Sequence, residues 1–198
     1  MFTYISGKIA DKANNYVVID NGGIGYKIFM APNVIEKLPD VGENQKIHTY
    51  YYVREDNISL YGFLSNEELR MFELLLSVSG IGAKSAIQIL SSITPSSFAL
   101  AVISNDVSQI VKIPGIGSKT AARIILELKD KLKTEQAVCK NEKVEKAIRE
   151  DEKDSEAITA LQVLGYTRKE IEKALEKIEI QDLSVEEIIR KALSILGK

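Results

Sequence analysis

Short apolar runs separated by turn residues occupy the first third of the chain. These runs are rich in Val, Ile, Tyr and Phe, which is typical of strands with one buried face. An Asn-Gly-Gly turn at residues 21–23 and a Pro-Asp-Val-Gly turn at residues 39–42 divide them. The pattern predicts five strands, at residues 3–9, 16–19, 26–30, 46–53 and 58–63. Five short strands within residues 1–64 predict a small barrel of the oligonucleotide-binding (OB) type.

The apolar period becomes helical after residue 64. Ser65 and Glu68 have the spacing of a capping box. Apolar residues then recur at helical spacing, at Leu69, Phe72, Leu75 and Leu76. Helical signals continue to Lys133, so residues 65–133 are predicted to form an all-α middle domain.

The remaining residues divide into a polar run and a short helical module. Residues 134–154 contain almost no large apolar side chains, and burial there cannot offset the entropy of ordering. We therefore predict a flexible linker, with a frayed helix in its second half as the alternative. Residues 155–198 regain apolar periodicity and predict a three-helix module. Its first helix is expected at residues 155–164, and the other two are capped by Thr167 with Glu170 and by Ser184 with Glu187.

A duplicated segment lies in the middle domain. The sequences SVSGIGAKSAIQIL, from Ser77, and KIPGIGSKTAARII, from Lys112, align without gaps 35 residues apart. The alignment pairs Gly80, Ile81, Gly82, Lys84 and Ala86 with Gly115, Ile116, Gly117, Lys119 and Ala121. The sequence therefore predicts two copies of a helix, a Gly-Ile-Gly hairpin and a second helix.

The residue types in this repeat suit phosphate binding. The glycines allow a tight turn and close approach of the backbone to a ligand, and the isoleucine anchors the turn. Free N–H groups at the start of the following helix lie at the positive end of its dipole, where a phosphate binds. Lys84 and Lys119 are predicted to add charge-assisted contacts. Arg123, one turn after Lys119, is predicted to extend the same face.

The Gly-hydrophobic-Gly pattern followed by Lys and Ala resembles the helix-hairpin-helix motif of sequence-independent DNA-binding proteins. One alternative is that the glycine turns only connect packed helices. Another is a nucleotide-binding P-loop, which requires a glycine directly before the lysine. Ala83 and Ser118 occupy that position here, which argues against ATP binding. Two copies of the motif favour DNA binding.

Composition limits the classes of function. The formal net charge is −2, so the chain lacks a global basic signature of nucleic-acid binding. Residues 65–133 carry 8 positive and 6 negative groups, against 6 and 7 in residues 1–64 and 12 and 15 in residues 134–198. Contact with DNA must therefore depend on local geometry in the middle domain. Because no signal peptide or membrane-length apolar run is present, we predict a cytoplasmic protein.

Few residues are candidates for catalysis or metal binding. His48 and Cys139 are the single residues of their types, and we expect neither a metal site nor a cofactor. Glu55 and Asp56 are adjacent, and neighbouring side chains on an extended chain point to opposite faces, which is poor for a shared metal. A turn would relax that objection, so a nuclease or glycosylase stays an alternative. The prediction is a non-catalytic protein.

A scaffold that binds single strands through the barrel is a further alternative. Such a protein stacks bases on exposed aromatic side chains. Alternate positions of each strand must fill the core, which limits how many of the candidates are exposed. The duplicated hairpins argue instead for duplex DNA. The aromatic candidates are Tyr4, Tyr16, Tyr26, Phe29, Tyr50, Tyr51, Tyr52 and Tyr61.

Nearly the whole chain resembles the RuvA family, whose members bind four-way (Holliday) junctions in a bacterial branch-migration complex. The resemblance rests on NGGIGYKI from Asn21, YYVREDNISLYGF from Tyr51, the two hairpins, the polar run and ALQVLGY from Ala160. It implies a non-catalytic subunit, acting in recombination and DNA repair, that holds the junction open in a square-planar form. The hairpins are expected to contact the minor-groove side of each arm. The alternative is a generic single-strand or duplex DNA-binding scaffold without junction selectivity.

The resemblance also implies site residues and partners. The family's acidic pin matches Glu55 and Asp56, which are expected at the junction centre. The C-terminal module is expected to bind the hexameric ATPase RuvB, and the larger complex to include the resolvase RuvC. The expected assembly is a homotetramer or an octamer, with no membrane partner. The motor-binding surface is predicted to begin at Leu161, Leu164, Gly165 and Tyr166. The alternative is that these residues form the core of the module.

Overall fold

The computed structural model describes residues 2–55, 57–139, 152–180 and 183–197. Within these ranges a β-barrel is followed by helices. The strands are β1 (Tyr4–Lys12), β2 (Tyr16–Asn21), β3 (Ile24–Phe29), β4 (Asn44–Val53) and β5 (Ile58–Phe63). The helices are α1 (Pro32–Ile35), α2 (Asn66–Leu76), α3 (Ala83–Ser92), α4 (Pro95–Ile103), α5 (Val107–Val111), α6 (Ser118–Cys139), α7 (Glu152–Val163), α8 (Arg168–Leu175) and α9 (Val185–Leu196).

The predicted barrel is confirmed. Its strands close in the order β1-β2-β3-β5-β4, and every neighbouring pair is antiparallel except β3 and β5. β1 pairs with β4 along its first half and with β2 along its second half, and its register with β2 shifts between Ile9 and Asp11. Such an irregularity bends a strand and helps a small sheet close. The barrel core is aliphatic, with Ile9, Val17, Ile19, Ile28 and Ile47 buried.

The short helix α1 was not predicted from the sequence. It forms one turn between β3 and β4, with Pro32 in its first turn and Ile35 buried in the barrel core. Proline is favoured at this position because its fixed φ suits a helix and its missing N–H has no partner there. A single turn is too short to produce a helical period in the sequence.

Helix α2 joins the barrel to the middle domain through one aromatic cluster. The Phe72 ring lies 4.9 Å from Phe63 and 5.3 Å from both Tyr50 and Tyr61, measured between ring centroids. Phe72 is fully buried. Because these rings belong to β4, β5 and α2, the contact fixes the middle domain on one side of the barrel.

The start of α2 differs in one bond from the predicted capping box. The Ser65 side chain accepts the N–H of Glu68, as predicted. The Glu68 carboxylate, however, accepts the N–H of Leu64 at 3.0 Å, one residue before the cap. Burial raises the pKa of Glu68, and backbone hydrogen bonds oppose that shift.

Part of the polar run after residue 133 is helical. Helix α6 continues to Cys139 and α7 begins at Glu152, so both enter the range predicted as a flexible linker. Apolar content alone was the wrong criterion at the end of α6, because Glu, Gln and Ala extend a helix that is already nucleated. The start of α7 agrees with the helical alternative for the second half of the run. The remaining linker positions, 140–151, lie outside the described residues.

The C-terminal module packs against the middle domain. Both predicted capping boxes, Thr167 with Glu170 and Ser184 with Glu187, are confirmed with reciprocal bonds. Helices α7 and α9 contact α4, and buried side chains from both regions form one apolar cluster. The Ser97 hydroxyl donates to Glu186 Oε1 at 2.8 Å across this boundary.

Candidate nucleic-acid interface

The two predicted hairpins have the same backbone hydrogen bonds. Hairpin 1 comprises residues 77–82 and joins α2 to α3, and hairpin 2 comprises residues 112–117 and joins α5 to α6. The N–H of Ile81 donates to the Val78 carbonyl at 3.1 Å, and the N–H of Ile116 donates to the Ile113 carbonyl at the same distance. The sequence repeat is therefore also a structural repeat.

The two glycines of each hairpin have different functions. Gly80 and Gly115 have φ angles of 84° and 80°, which glycine adopts without strain. Gly82 and Gly117 lack positive φ, and a Cβ at either position would meet no other atom within 4 Å. Neither the conformation nor the packing of the chain requires glycine at this second position. Its missing side chain instead leaves the backbone open to an external ligand.

The aliphatic and small residues of the repeat are buried as predicted. Ile81 and Ile116 are each only 6% exposed, and both side chains join the apolar cluster of the helical region. Ala86 and Ala121 are fully buried, so α3 and α6 pack closely against their neighbours. This packing holds both hairpins on a rigid core.

The helix starts beyond the hairpins suit an anion. Gly82 is the N-cap of α3 and offers no side chain to its free N–H groups. Neither α3 nor α6 has an acidic residue in its first turn. Lys84 and Lys119 are exposed at these two starts. Each hairpin thus combines a glycine directly before the helix, the positive end of a helix dipole and one ammonium group.

The guanidinium group of Arg123 approaches hairpin 1. Its Nη1 lies 3.4 Å from the carbonyl oxygen of Ser79 in hairpin 1, although Arg123 belongs to the helix that follows hairpin 2. The same atom lies 3.4 Å from the position of a Cβ on Gly80. Its guanidinium group therefore lies beside hairpin 1, which reasoning along one helix did not predict.

Glu55, one of the two residues predicted to form an acidic pin, lies in the turn between β4 and β5. Glu55 is exposed, and Asp56 lies outside the described residues. The turn is closed by a hydrogen bond of 2.8 Å from the N–H of Arg54 to the carbonyl of Asn57. Arg54 Nε donates to the Tyr52 hydroxyl at 2.9 Å, and its guanidinium lies over the Tyr52 ring.

Most of the predicted motor-binding residues are buried. Leu161, Leu164 and Tyr166 are 0%, 1% and 4% exposed. The Gly165 carbonyl accepts a hydrogen bond of 2.9 Å from Arg70 Nη1 of α2, and the Arg70 guanidinium lies 4.2 Å from the centre of the Tyr166 ring. Burial raises the pKa of Tyr166 to about 12. In this arrangement the segment contacts the middle domain.

The aromatic side chains of the barrel provide little stacking surface. Of the aromatic residues that the structure describes, only Phe2 and Tyr4 are among the exposed large hydrophobic residues, at 42% and 53%. Lys46 Nζ lies 4.4 Å from the centre of the Tyr4 ring. Tyr50 and Tyr61 pack on Phe72 instead. The geometry therefore gives the single-strand alternative little support.

No group of three or more His, Cys, Asp or Glu side chains within the described ranges is arranged to hold a metal ion. Burial, followed by the charge of Lys46, lowers the pKa of His48. No single described helix has the length and apolarity to cross a membrane, and one bent pair, α3 with α4, meets the test by length and composition only.

The fold and the paired hairpins define a class of DNA-binding protein that joins an OB-type barrel to a tandem helix-hairpin-helix domain. Three family models match the chain: RuvA N terminal domain over residues 1–62, SAM-like helix-hairpin-helix tandem over residues 72–130, and RuvA C-terminal domain over residues 153–197. The chain belongs to the RuvA family.

Full-length relatives agree with this assignment. The Holliday junction branch migration complex subunit RuvA of Acetivibrio thermocellus is 47% identical over 201 residues, with 100% of both chains covered. The protein of the same name from Ruminiclostridium cellulolyticum is 46% identical over 99% of this chain and 100% of its own. That from Clostridium botulinum strain Hall is 43% identical, with both chains covered completely.

Proposed function

We propose that this protein binds four-way DNA junctions, holds them open and recruits a RuvB-type ATPase that moves the branch point. The main support is the pair of hairpins, which present two helix starts, each preceded by a glycine and carrying an exposed lysine, on one rigid domain. The full-length relatives are named as Holliday junction branch migration complex subunits. In this account the chain is a non-catalytic subunit, and ATP hydrolysis belongs to the motor.

The proposed DNA contact is with phosphates and not with bases. Backbone N–H groups at the starts of α3 and α6, together with Lys84 and Lys119, would each hold a phosphate through charge-assisted bonds. Phosphate contacts fix position but carry no sequence information. Binding is therefore expected to depend on the shape of the DNA and to weaken steeply with salt.

A salt titration tests the phosphate contacts. Each phosphate contact contributes about 0.9 to the slope of log K against log salt concentration. The double variant Lys84→Ala/Lys119→Ala should lower this slope by about 2 and weaken binding to every DNA sequence alike. Lys169→Ala, which removes an exposed lysine from α8, is the matched control. A loss confined to one DNA sequence would contradict the phosphate-binding proposal.

The acidic pin is proposed to act on strands at the junction centre. Glu55 is exposed at the tip of the β4–β5 turn, where a carboxylate repels a nearby phosphate. Each such repulsion amounts to about 1 kcal/mol in water at contact distance, so the pin would bias geometry and rate without driving migration. Glu55→Gln with Asp56→Asn should preserve junction binding but change the rate of motor-driven migration. An unchanged rate would contradict a role of the pin in branch migration.

We propose that the motor binds the segment that begins the C-terminal surface, on one structural condition. The segment comprises Leu161, Leu164, Gly165 and Tyr166. The three larger side chains are buried here, and the Tyr166 ring lies against Arg70 of α2. The proposal therefore requires the module to leave α2 and α4, which would release the Tyr166 ring. The polar run between α6 and α7 would then act as a tether, which keeps the module at a high effective concentration near the motor.

The assembly is proposed to be a homotetramer, or an octamer of two tetramers, acting in the cytoplasm with a RuvC-type resolvase in the larger complex. Four subunits would present four equivalent sets of hairpins to the four arms of a junction, in keeping with the closed symmetry of most oligomers. Light scattering of the purified protein, with and without junction DNA, measures this mass directly. A monomer in both conditions would contradict the symmetric arrangement.

A further inference from the structure

One carboxylate of α6 binds the backbone of hairpin 1. Glu127 Oε2 accepts the N–H of Ser79 at 3.0 Å and the Ser79 hydroxyl at 3.3 Å. One turn earlier on α6, Arg123 approaches the Ser79 carbonyl. Helix α6 begins directly after hairpin 2. A single helix therefore carries one hairpin at its start and holds the other through its side chains.

This contact occurs in only one of the two repeats. The residue of hairpin 2 that corresponds to Ser79 is Pro114, which has no N–H to donate. The positions 35 residues before Arg123 and Glu127 are Gln88 and Ser92, so the first repeat lacks the equivalent pair. The contact is thus an addition to the helix-hairpin-helix pattern and does not follow from it.

We propose that Glu127 is a positioning residue that fixes the spacing of the two phosphate-binding hairpins. Nine residues separate Ser118, at the start of α6, from Glu127, which corresponds to about 14 Å of helix rise. The bond to Glu127 holds the Ser79 backbone at this distance along α6 from hairpin 2, so both hairpins belong to one rigid unit. Prearranged sites lose less conformational freedom on binding, which strengthens binding to two phosphates at once. The DNA consequence of this inference rests on the proposed function.

Charge alone predicts the opposite effect. A carboxylate close to a phosphate-binding hairpin repels DNA, so its removal should tighten binding if charge were its only contribution. If the hydrogen bonds to Ser79 matter more, its removal should weaken binding. A glutamine at this position separates the two effects, because it keeps an oxygen acceptor without the negative charge.

Three variants of the full-length protein make this comparison. Fluorescence anisotropy measures the affinity of each variant for a labelled four-way junction. Glu127→Ala should bind about three- to tenfold more weakly than the unaltered protein, because one element of the binding site becomes mobile. Glu127→Gln should bind as tightly as the unaltered protein or more tightly. Glu73→Ala, which removes an exposed carboxylate of α2, is the matched control and should bind at least as tightly as the unaltered protein. Binding by Glu127→Ala that equals or exceeds that of Glu127→Gln would overturn the proposal.

Hydrogen exchange of the protein without DNA gives a second, independent readout. In Glu127→Ala, amide exchange should accelerate at residues 79–82 of hairpin 1 and stay unchanged at residues 115–117 of hairpin 2. Equal acceleration at both hairpins, or none at either, would contradict the contact's positioning role. Because this readout needs no DNA, it separates failure of this inference from failure of the proposed junction binding.

Discussion

Gly115 and Gly117 lie two residues apart, yet a side chain should have a different effect at each. Gly115 has a φ of 80°, at which an alanine is strained by about 1–2 kcal/mol. Gly117 does not have a positive φ, and a Cβ at this position would meet no other atom within 4 Å. Alanine at position 117 is therefore compatible with the fold in the absence of DNA. A methyl group at Gly117 would, however, occupy the space through which a phosphate approaches the backbone.

The two substitutions should therefore separate stability from binding. Gly115→Ala should lower the free energy of unfolding by about 1–2 kcal/mol. Gly117→Ala should leave it unchanged but weaken DNA binding about tenfold, equivalent to the loss of about one charged hydrogen bond. Denaturant unfolding and anisotropy measure the two quantities. Normal DNA binding by Gly117→Ala would contradict a backbone–phosphate contact at hairpin 2.

Individual residues were predictable where the repeat determined their environment. The burial of Ile81 and Ile116 and the exposure of Lys84 and Lys119 follow from their positions in the hairpin pattern. The bond between Ser79 and Glu127 was not predicted, because it joins residues 48 positions apart on different helices. The only sequence signal near it is the difference between Ser79 and Pro114 in an otherwise close repeat.

At the scale of elements, helices α8 and α9 depend on their capping boxes. Backbone and side-chain hydrogen bonds from Thr167 lower the pKa of Glu170, and those from Ser184 lower the pKa of Glu187. A carboxyl group with a lowered pKa in the folded state stabilises the protein above its unfolded pKa. That contribution is lost as the pH falls from about 4.5 through the lowered value.

Carboxyl titration by NMR tests these caps one at a time. Glu170 and Glu187 should both titrate below the ordinary pKa of 4.5. Thr167→Ala should move only Glu170 towards the ordinary value and should cost about 1 kcal/mol of stability. Glu187 serves as the internal control in that variant. A parallel shift of both residues would mean that the module had unfolded, and no shift of either would mean that the cap contributes little.

Elements were predicted well where a local pattern defines them. The strands follow from apolar runs between turn residues, and the caps of α8 and α9 from Ser or Thr three residues before Glu. Helix α1 was missed because a single turn has no period, and the end of α6 was misplaced because helix extension requires no apolar residues.

At the scale of the whole molecule, Arg70 holds the C-terminal module against the middle domain. Its guanidinium donates to the Gly165 carbonyl and lies over the Tyr166 ring, both at the segment proposed to bind the motor. A guanidinium over an aromatic ring stabilises a contact by about 0.5–2 kcal/mol, depending on burial. The bound arrangement and the proposed motor contact use the same side chains, so they should exclude each other.

Arg70→Ala should therefore release the module and favour the motor. We expect a larger radius of gyration by small-angle scattering and binding to a RuvB-type ATPase several-fold tighter, equivalent to about 1 kcal/mol. Junction binding should be unchanged, since Arg70 lies on α2 and not in a hairpin. Lys173→Ala removes an exposed positive charge from α8 and is the control. Motor binding that is unchanged or weaker in Arg70→Ala would contradict competition at this surface.

The shared core of the middle domain and the module was not predictable from the sequence. Leu161, Leu164 and Tyr166 are apolar whether they face their own helices, the middle domain or a partner. The bonds that join the two regions link distant positions, such as Asn66 to Gly197 and Arg70 to Gly165. Local periodicity contains no information on such pairs, although it divided the chain into three units whose order agrees with the family models.

Selective binding to four-way junctions would distinguish this protein from a general DNA-binding scaffold, and a competition gel shift measures that selectivity. The purified protein is bound to a labelled synthetic junction in magnesium-free buffer, with unlabelled junction, linear duplex or single strand of equal length as competitor. The account predicts that the unlabelled junction competes far better than either linear DNA. Equal competition by all three would contradict junction recognition and leave a general DNA-binding scaffold.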